Sequence, residues 1–163
     1  MKRTILIPTD FSVQSLQVFK KAMSGYTGEP ARILVLHGMI LPNSIHDLLF
    51  LSQARLIESL KTDEFMSSCS MMKNRFQSKI ESLHLDIFTG VTMAAFRQYL
   101  DANRIDEAFV PVNYKFLPRH KRSFDVVPYI LKSNLAITEV RCEQEVEPVW
   151  MDAKGLETLF FNN

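Results

Sequence analysis

The sequence lacks the features that mark membrane, secreted and nucleic-acid-binding proteins. No apolar run approaches the roughly 20 residues that a membrane-spanning helix needs. The run that follows the basic start Met1–Arg3 breaks at Pro8, too early for a secretory signal. A formal net charge of +1 gives no overall field that would attract nucleic acid or an anionic membrane. These absences favour a cytoplasmic protein with neither kind of partner.

Cysteine and histidine are scarce as well. Cys69 and Cys142 are the only cysteines, and two free, buried thiols in a reducing compartment fit them better than a disulfide scaffold. The four histidines show no metal-ligand spacing. His37 has no serine, cysteine or carboxylate at a motif spacing, which favours a packed histidine over a catalytic one. We therefore predict no metal site and no catalytic residue.

The residues that are present indicate one α/β domain. The chain has 163 residues, 47% apolar and 23% charged, enough to bury a full core. Apolar runs at 4–8 and 32–37 predict buried strands, and three further strands are predicted at 83–88, where apolar and polar residues alternate, at 107–112 and at 135–141. Segments with helical spacing lie between them: one after Ser12, two between 40 and 82, one after Thr92 and one over 124–133. This alternation predicts a parallel sheet with helices on both faces.

Local signals predict where several of these helices begin. Ser12, Ser44, Thr62 and Thr92 each precede a helical segment and are predicted N-caps. Ligands of parallel sheets usually bind beyond the carboxyl ends of the strands. The loops at 8–12, 38–44, 89–92 and 112–123 are therefore expected to line any site.

Four stretches, in order and spacing, resemble the universal stress protein family. They are Ile5–Ser12 (ILIPTDFS), Leu34–His37 (LVLH), Asn103–Val110 (NRIDEAFV, preceded by Gly90 and a helix) and Lys132–Ile137 (KSNLAI). Together they span about residues 3–142. The resemblance implies a three-layer α/β/α fold of the adenine nucleotide alpha hydrolase type, with a five-stranded parallel sheet of order 3-2-1-4-5. It also implies a homodimer formed through the fifth strand, residues 136–141.

Many members of that family bind ATP or a related adenine nucleotide, and the resemblance maps part of their site onto this chain. Asp10 stands at the position of the ribose-contacting aspartate, and Gly38 stands near the backbone that contacts adenine. The family's glycine-rich phosphate loop has no counterpart, because no glycine occurs between Val91 and Lys154. A phosphate-binding loop needs inward N–H groups, positive φ angles and close backbone approach, which Tyr, Phe, Leu and Pro do not supply.

Candidate ligand-binding residues follow from this comparison. They are Thr9, Asp10, Ser12, Gly38, Asn113, Lys115, Arg119, Arg122 and Ser123. Asp10 could contact a ribose or could cap the helix that follows it. The basic residues of 115–122 could hold an anion in place of the glycines, could form a solvated loop, or could bind an acidic segment of the chain.

Such an acidic segment follows the family-like domain of residues 1–142. Residues 143–163 contain five acidic residues and one lysine, together with apolar side chains at Val149, Trp150, Met151, Leu156, Leu159, Phe160 and Phe161. We expect this extension to pack on the domain or on a partner subunit.

The sequence thus predicts a non-catalytic stress-response or regulatory protein without a cofactor, acting through a protein or small-molecule partner. It would not bind ATP in the family's usual manner. The alternative is an adenine-nucleotide (ATP or AMP) binding protein, with weak ATPase activity at most, that uses Asp10 and the basic loop in place of the glycines.

Overall fold

The computed structural model describes residues 2–142, and the predicted 143–163 extension lies outside the described residues. Strands and helices alternate along the chain, except that β5 follows β4 directly and that three helices lie between β2 and β3, where two were predicted. The strands are β1 (Thr4–Pro8), β2 (Ala31–Met39), β3 (Ile80–Phe88), β4 (Glu107–Val112), β5 (Ser123–Phe124) and β6 (Ala136–Arg141). The helices are α1 (Leu16–Gly25), α2 (Ile45–Leu49), α3 (Gln53–Leu60), α4 (Asp63–Arg75), α5 (Met93–Ala102) and α6 (Val127–Leu131).

The sheet has the order β3-β2-β1-β4-β6, and these five strands are parallel. The predicted order 3-2-1-4-5 is confirmed, with β6 as the predicted fifth strand. The short β5 was not predicted; it pairs antiparallel with the end of β2, Gly38 opposite Phe124. The helix predicted over 124–133 is shorter than expected, because Phe124 belongs to β5 and α6 spans only Val127–Leu131.

Apolar side chains of the central strands are buried on both faces of the sheet. Ile5, Ile7, Ile33 and Val35 pack on one face with α1. The alternate residues, Leu6 among them, pack on the other face with α5 and α6. Period-two alternation in a doubly covered sheet explains why these strands read as continuous apolar runs.

The predicted caps Ser44, Thr62 and Thr92 accept hydrogen bonds from the third residue of their helices, at 3.5, 3.1 and 3.1 Å. The prediction that Ser12 is a helix N-cap is wrong. Helix α1 begins three residues after the expected position, with Ser15 as N-cap residue. Residues 12–15 form a turn in which the Ser12 hydroxyl accepts from the Ser15 N–H at 3.2 Å, so Ser12 serves this turn instead of the helix.

None of the helices described has the length and apolar character needed to cross a membrane.

Candidate functional site

The carboxyl ends of β1, β2 and β4 meet where the sequence predicts a site, and Asp10 lies at the centre of that region. Asp10 is 1% exposed. Its Oδ1 accepts from the Ser12 N–H at 2.9 Å, and its Oδ2 accepts from the Leu117 N–H at 3.1 Å. The hydroxyls of Ser12 and Tyr114 also donate to the carboxylate. Both carboxylate oxygens therefore have donors from within the chain.

The loop after β4 supplies two of those donors and covers the carboxylate. It leaves the strand at Asn113, whose φ of 60° lies in the left-handed region that usually favours glycine. Asparagine tolerates this conformation better than most residues. The next residues alternate: Tyr114 and Phe116 are half-buried, whereas Lys115 and Leu117 are exposed. The loop thus turns two aromatic side chains inward and a lysine outward.

Little space is left beside Asp10. A cavity of ≈ 50 Å³ lies between Asp10, Tyr114, Phe116 and Asp125. Small-molecule sites usually measure about 300–1,000 Å³. The cavity is therefore too small for a nucleotide unless the loop moves.

Burial controls the ionisation of the groups around this cavity. It raises the pKa of the Tyr114 hydroxyl, and the hydrogen bond to Asp10 raises it further. It also raises the pKa of the Asp125 carboxyl, against the opposing effect of a hydrogen bond from the Val127 N–H. Tyr114 consequently stays protonated at neutral pH and remains a donor to Asp10.

His37 occupies the adjacent strand end and is fully buried. Its Nδ1 lies 2.9 Å from the Thr9 carbonyl oxygen, so Nδ1 carries the proton, and Nε2 accepts from the Ser123 hydroxyl at 2.8 Å. Burial is the main cause of the lowered pKa of this imidazole. The ring packs against Phe11 and stacks on Phe116 at centroid distances of 5.0 and 6.0 Å. These contacts hold a neutral histidine that joins three loops.

The Ser123–His37 hydrogen bond is a contact that sequence spacing could not reveal, since 86 residues separate the partners. A serine that donates to a neutral imidazole is also the arrangement of an activated nucleophile. Here Phe11 and Phe116 pack around the imidazole and a backbone carbonyl occupies the orienting position. The imidazole therefore has the surroundings of a packed histidine.

Backbone geometry next to Asp10 is constrained by the same packing. Phe11 has a φ of 63°, a conformation that costs a residue with a side chain about 1–2 kcal/mol. The phenyl ring is 1% exposed and packs on Phe65 at 5.2 Å. Aromatic packing therefore holds the β1–α1 turn that directs Asp10 beneath the loop after β4.

The structure brings some of the nine candidate residues together and leaves others apart. Thr9, Asp10, Ser12 and Ser123 belong to the buried network, Thr9 through a 2.7 Å bond between its hydroxyl and that of Ser15. Gly38 instead pairs with Phe124. Three other candidates point toward solvent: Asn113, Lys115 and Arg119 are exposed. Arg122 is half-buried, and its carbonyl accepts from the Ile40 N–H at 2.9 Å.

Sequence reasoning missed Tyr114, Phe116 and the Leu117 N–H as the groups that occupy the site. The alternation of aromatic and basic residues over Tyr114, Lys115 and Phe116 was the available signal. Within residues 2–142, no cluster of three or more His, Cys, Asp or Glu side chains is placed to hold a metal ion.

No protein-family model and no curated protein sequence matches this chain. Solved structures do match its fold. Hypothetical protein MJ0577 has a TM-score of 0.53 at 18% identity, over 88% of this chain and 98% of that one. The universal stress protein UspA from Lactobacillus plantarum has a TM-score of 0.52 at 14% identity, over 85% and 97%. A universal stress protein in complex with cAMP has a TM-score of 0.51 at 13% identity, over 87% and 98%. The chain has the fold of these proteins.

Proposed function

We propose that this chain is a divergent universal stress protein that acts as a non-catalytic regulatory or stress-response protein and does not bind ATP in the family's usual manner. The observation that carries the proposal is the occupied site. The Asp10 carboxylate, which the resemblance assigns to the ribose, is buried and already accepts hydrogen bonds from Ser12, Tyr114 and Leu117. A ribose hydroxyl would have to displace these donors.

Two features support a non-catalytic role. The buried His37 is enclosed by Phe11 and Phe116, which leave its imidazole no open side for a substrate. The loop after β4 brings exposed basic side chains, Lys115 and Arg119, in place of a glycine-rich phosphate loop. Such a loop suits contact with an anionic partner.

The free thiols of Cys69 and Cys142 support a reducing, cytoplasmic location.

Isothermal titration of the full chain with MgATP, ADP, AMP and cAMP tests the proposal. We expect no binding up to millimolar concentrations. The Tyr114→Ala/Phe116→Ala variant separates two reasons for that result. If only this variant binds nucleotide, the two aromatic side chains are what excludes the ligand from the unmodified chain. If the variant also fails to bind, the missing glycines are the cause. Micromolar binding by the unmodified chain would overturn the proposal.

The second candidate is an adenine-nucleotide-binding protein that uses Asp10 and the basic loop. The cAMP complex of one structural neighbour favours it. It requires the loop after β4 to open and release Asp10. Nucleotide binding that is lost in Arg119→Glu but kept in the control Lys73→Glu, which alters an exposed lysine on α4, would establish this candidate.

Homodimerisation is also proposed. Strand β6 is an edge of the described sheet, and Thr138 and Glu139 on it are exposed. An edge strand offers unpaired backbone groups to a second copy. Light scattering at micromolar concentration should give the mass of a dimer, and Glu139→Pro should shift it toward the monomer. The Cys142 N–H bonds to β4, so by strand alternation the N–H of Glu139 faces the open edge, and proline removes that donor. A monomeric unmodified chain would rule the dimer out.

A further inference from the structure

The segment after β2 exposes an unusual amount of apolar surface. Helix α2 buries none of its residues. Ile45 and Leu49, one helical turn apart, are each 76% exposed, and Phe50 is 63% exposed. Ile40, Leu41 and Leu48 are also more than one-third exposed. Contiguous apolar patches on a protein surface usually mark a binding site.

This apolar patch adjoins the basic loop of residues 115–122. The Ile40 N–H donates to the Arg122 carbonyl at 2.9 Å, which joins the two segments directly. A cavity of ≈ 140 Å³ lies at the junction, lined mostly by apolar side chains of residues 39–56 and by His120 and Arg122. Residues 113–122 contain no acidic residue, and residues 39–56 contain one, Asp47. The combined surface is therefore apolar with a basic border.

We propose that this surface, formed by residues 40–50 and 115–122, binds the chain's own C-terminal segment, residues 143–163. The composition of that segment is complementary to the surface. It carries five acidic residues and one lysine, a net charge of −4, so the other residues of a chain with net charge +1 carry +5. Its eight large apolar residues include Trp150 and Phe160. Opposite charge directs the contact and apolar burial supplies most of its free energy.

The segment begins beside the strand that leads into the basic loop. It follows Cys142, whose N–H donates to the Val112 carbonyl at 3.4 Å, and Val112 is the last residue before the loop that carries the basic side chains. Strand β2 lies three positions from β6 in the sheet, about 14 Å at the usual strand spacing. Eight extended residues, from 143 to Trp150, span about 26 Å. The segment can therefore reach the apolar patch of its own chain.

A second groove fits the segment less well. It measures ≈ 920 Å³ and lies between α1, β4 and β6. Three glutamates and two basic residues line it: Glu29, Glu107, Glu139, Arg3 and Lys21. An acidic segment gains nothing from a surface that is itself slightly acidic.

Trp150 is the only tryptophan of the chain and reports on the segment directly. In the full-length protein we expect a blue-shifted Trp150 emission and several-fold weaker acrylamide quenching than in the urea-unfolded chain. Leu49→Asp, in the apolar patch, and Arg119→Glu, in the basic loop, should each raise quenching toward the unfolded value. Higher salt should raise it in the unmodified protein, because salt screens the charges.

Matched controls are available on α4. Met71 is 72% exposed and Lys73 is exposed, so Met71→Asp and Lys73→Glu make the same chemical changes outside the proposed surface. Both should leave quenching unchanged, with circular dichroism showing that every variant is folded. The proposal is overturned if Trp150 is quenched as in the unfolded chain, or if Lys21→Glu in the second groove releases it while Leu49→Asp does not. If the protection of Trp150 from quenching grows with protein concentration, the segment binds a second copy of the chain, and the proposal is overturned as well.

Discussion

The hydroxyl of Tyr114 donates a hydrogen bond to the carboxylate of Asp10, across 104 residues of sequence. This contact closes the loop after β4 over the loop after β1. The Leu117 N–H adds a second bond to the same carboxylate at 3.1 Å. In a parallel sheet these two loops border the usual ligand site. The chain therefore uses, for its own stability, a carboxylate placed where a ligand would bind.

Replacing Asp10 with alanine should destabilise the protein. The substitution leaves the N–H groups of Ser12 and Leu117 without their acceptor in a partly buried region, and a donor that neither the protein nor water satisfies costs about 1–3 kcal/mol. We expect a loss of about 2–4 kcal/mol in the free energy of unfolding, measured by urea denaturation. Asp101→Ala, at an exposed position on α5, should change it by less than about 0.5 kcal/mol. Equal effects of the two substitutions would mean that the Asp10 network adds no stability.

The fold could be predicted because the strands are covered on both faces. Continuous apolar runs such as Ile5–Ile7 and Ile33–Leu36 have few alternatives to buried parallel strands. Helix caps at Ser44, Thr62 and Thr92 depend on three neighbouring residues and were predicted correctly. Strand β5 has two residues and depends on pairing with distant Gly38, so no local pattern indicates it.

The candidate site was predicted only in outline. The resemblance placed Asp10 and the absence of glycine predicted an altered phosphate loop, but neither indicated what fills the space. Tyr114 and Phe116 turn inward through contacts with residues about 80 to 100 positions away. Likewise, His37 near the end of β2 and Ser123 at the start of β5 meet only through the tertiary fold. Long-range contacts of this kind leave no periodic signal in the sequence.

His37 should make stability depend on pH. Its pKa in the folded protein is lowered from the ordinary value of 6.5, chiefly by burial. The unfolded chain therefore binds a proton at a higher pH than the folded chain does. The stabilisation that comes from keeping His37 neutral is complete above pH 6.5 and decreases as the pH falls toward the folded-state pKa. Urea denaturation between pH 7.5 and about pH 5 should show this loss, and His37→Gln should flatten it.

The control for His37 is His84, which is exposed on β3. His84→Gln makes the same change at the surface, so the difference in slope between the two variants isolates the contribution of the buried imidazole. A slope that persists in His37→Gln would assign the pH dependence to other groups.

Both cysteines should be slow to react in the folded protein. Burial raises the pKa of Cys69 to about 11 and also raises that of Cys142, although Lys21 opposes the second effect. The thiolate is the reactive form, so little of it exists at pH 8. Mass spectrometry after iodoacetamide treatment should show much slower labelling of both residues in the native than in the urea-unfolded protein. Rapid native labelling of Cys69 would contradict its burial on the inner face of α4.

Gly38 should resist replacement by any larger residue. A Cβ atom added there would lie 2.6 Å from the Phe124 carbonyl oxygen and 2.6 Å from its ring, so the β2–β5 pairing would have to shift. Gly38→Ala should lower the free energy of unfolding by about 1–3 kcal/mol, the usual cost of overpacking. Gly25→Ala is the matched control, because an added Cβ there meets no atom within 4 Å and the backbone φ is not positive. At such a position alanine is neutral or stabilises by up to about 1 kcal/mol. If Gly38→Ala were as stable as Gly25→Ala, the close approach of β5 to β2 would not exist in solution.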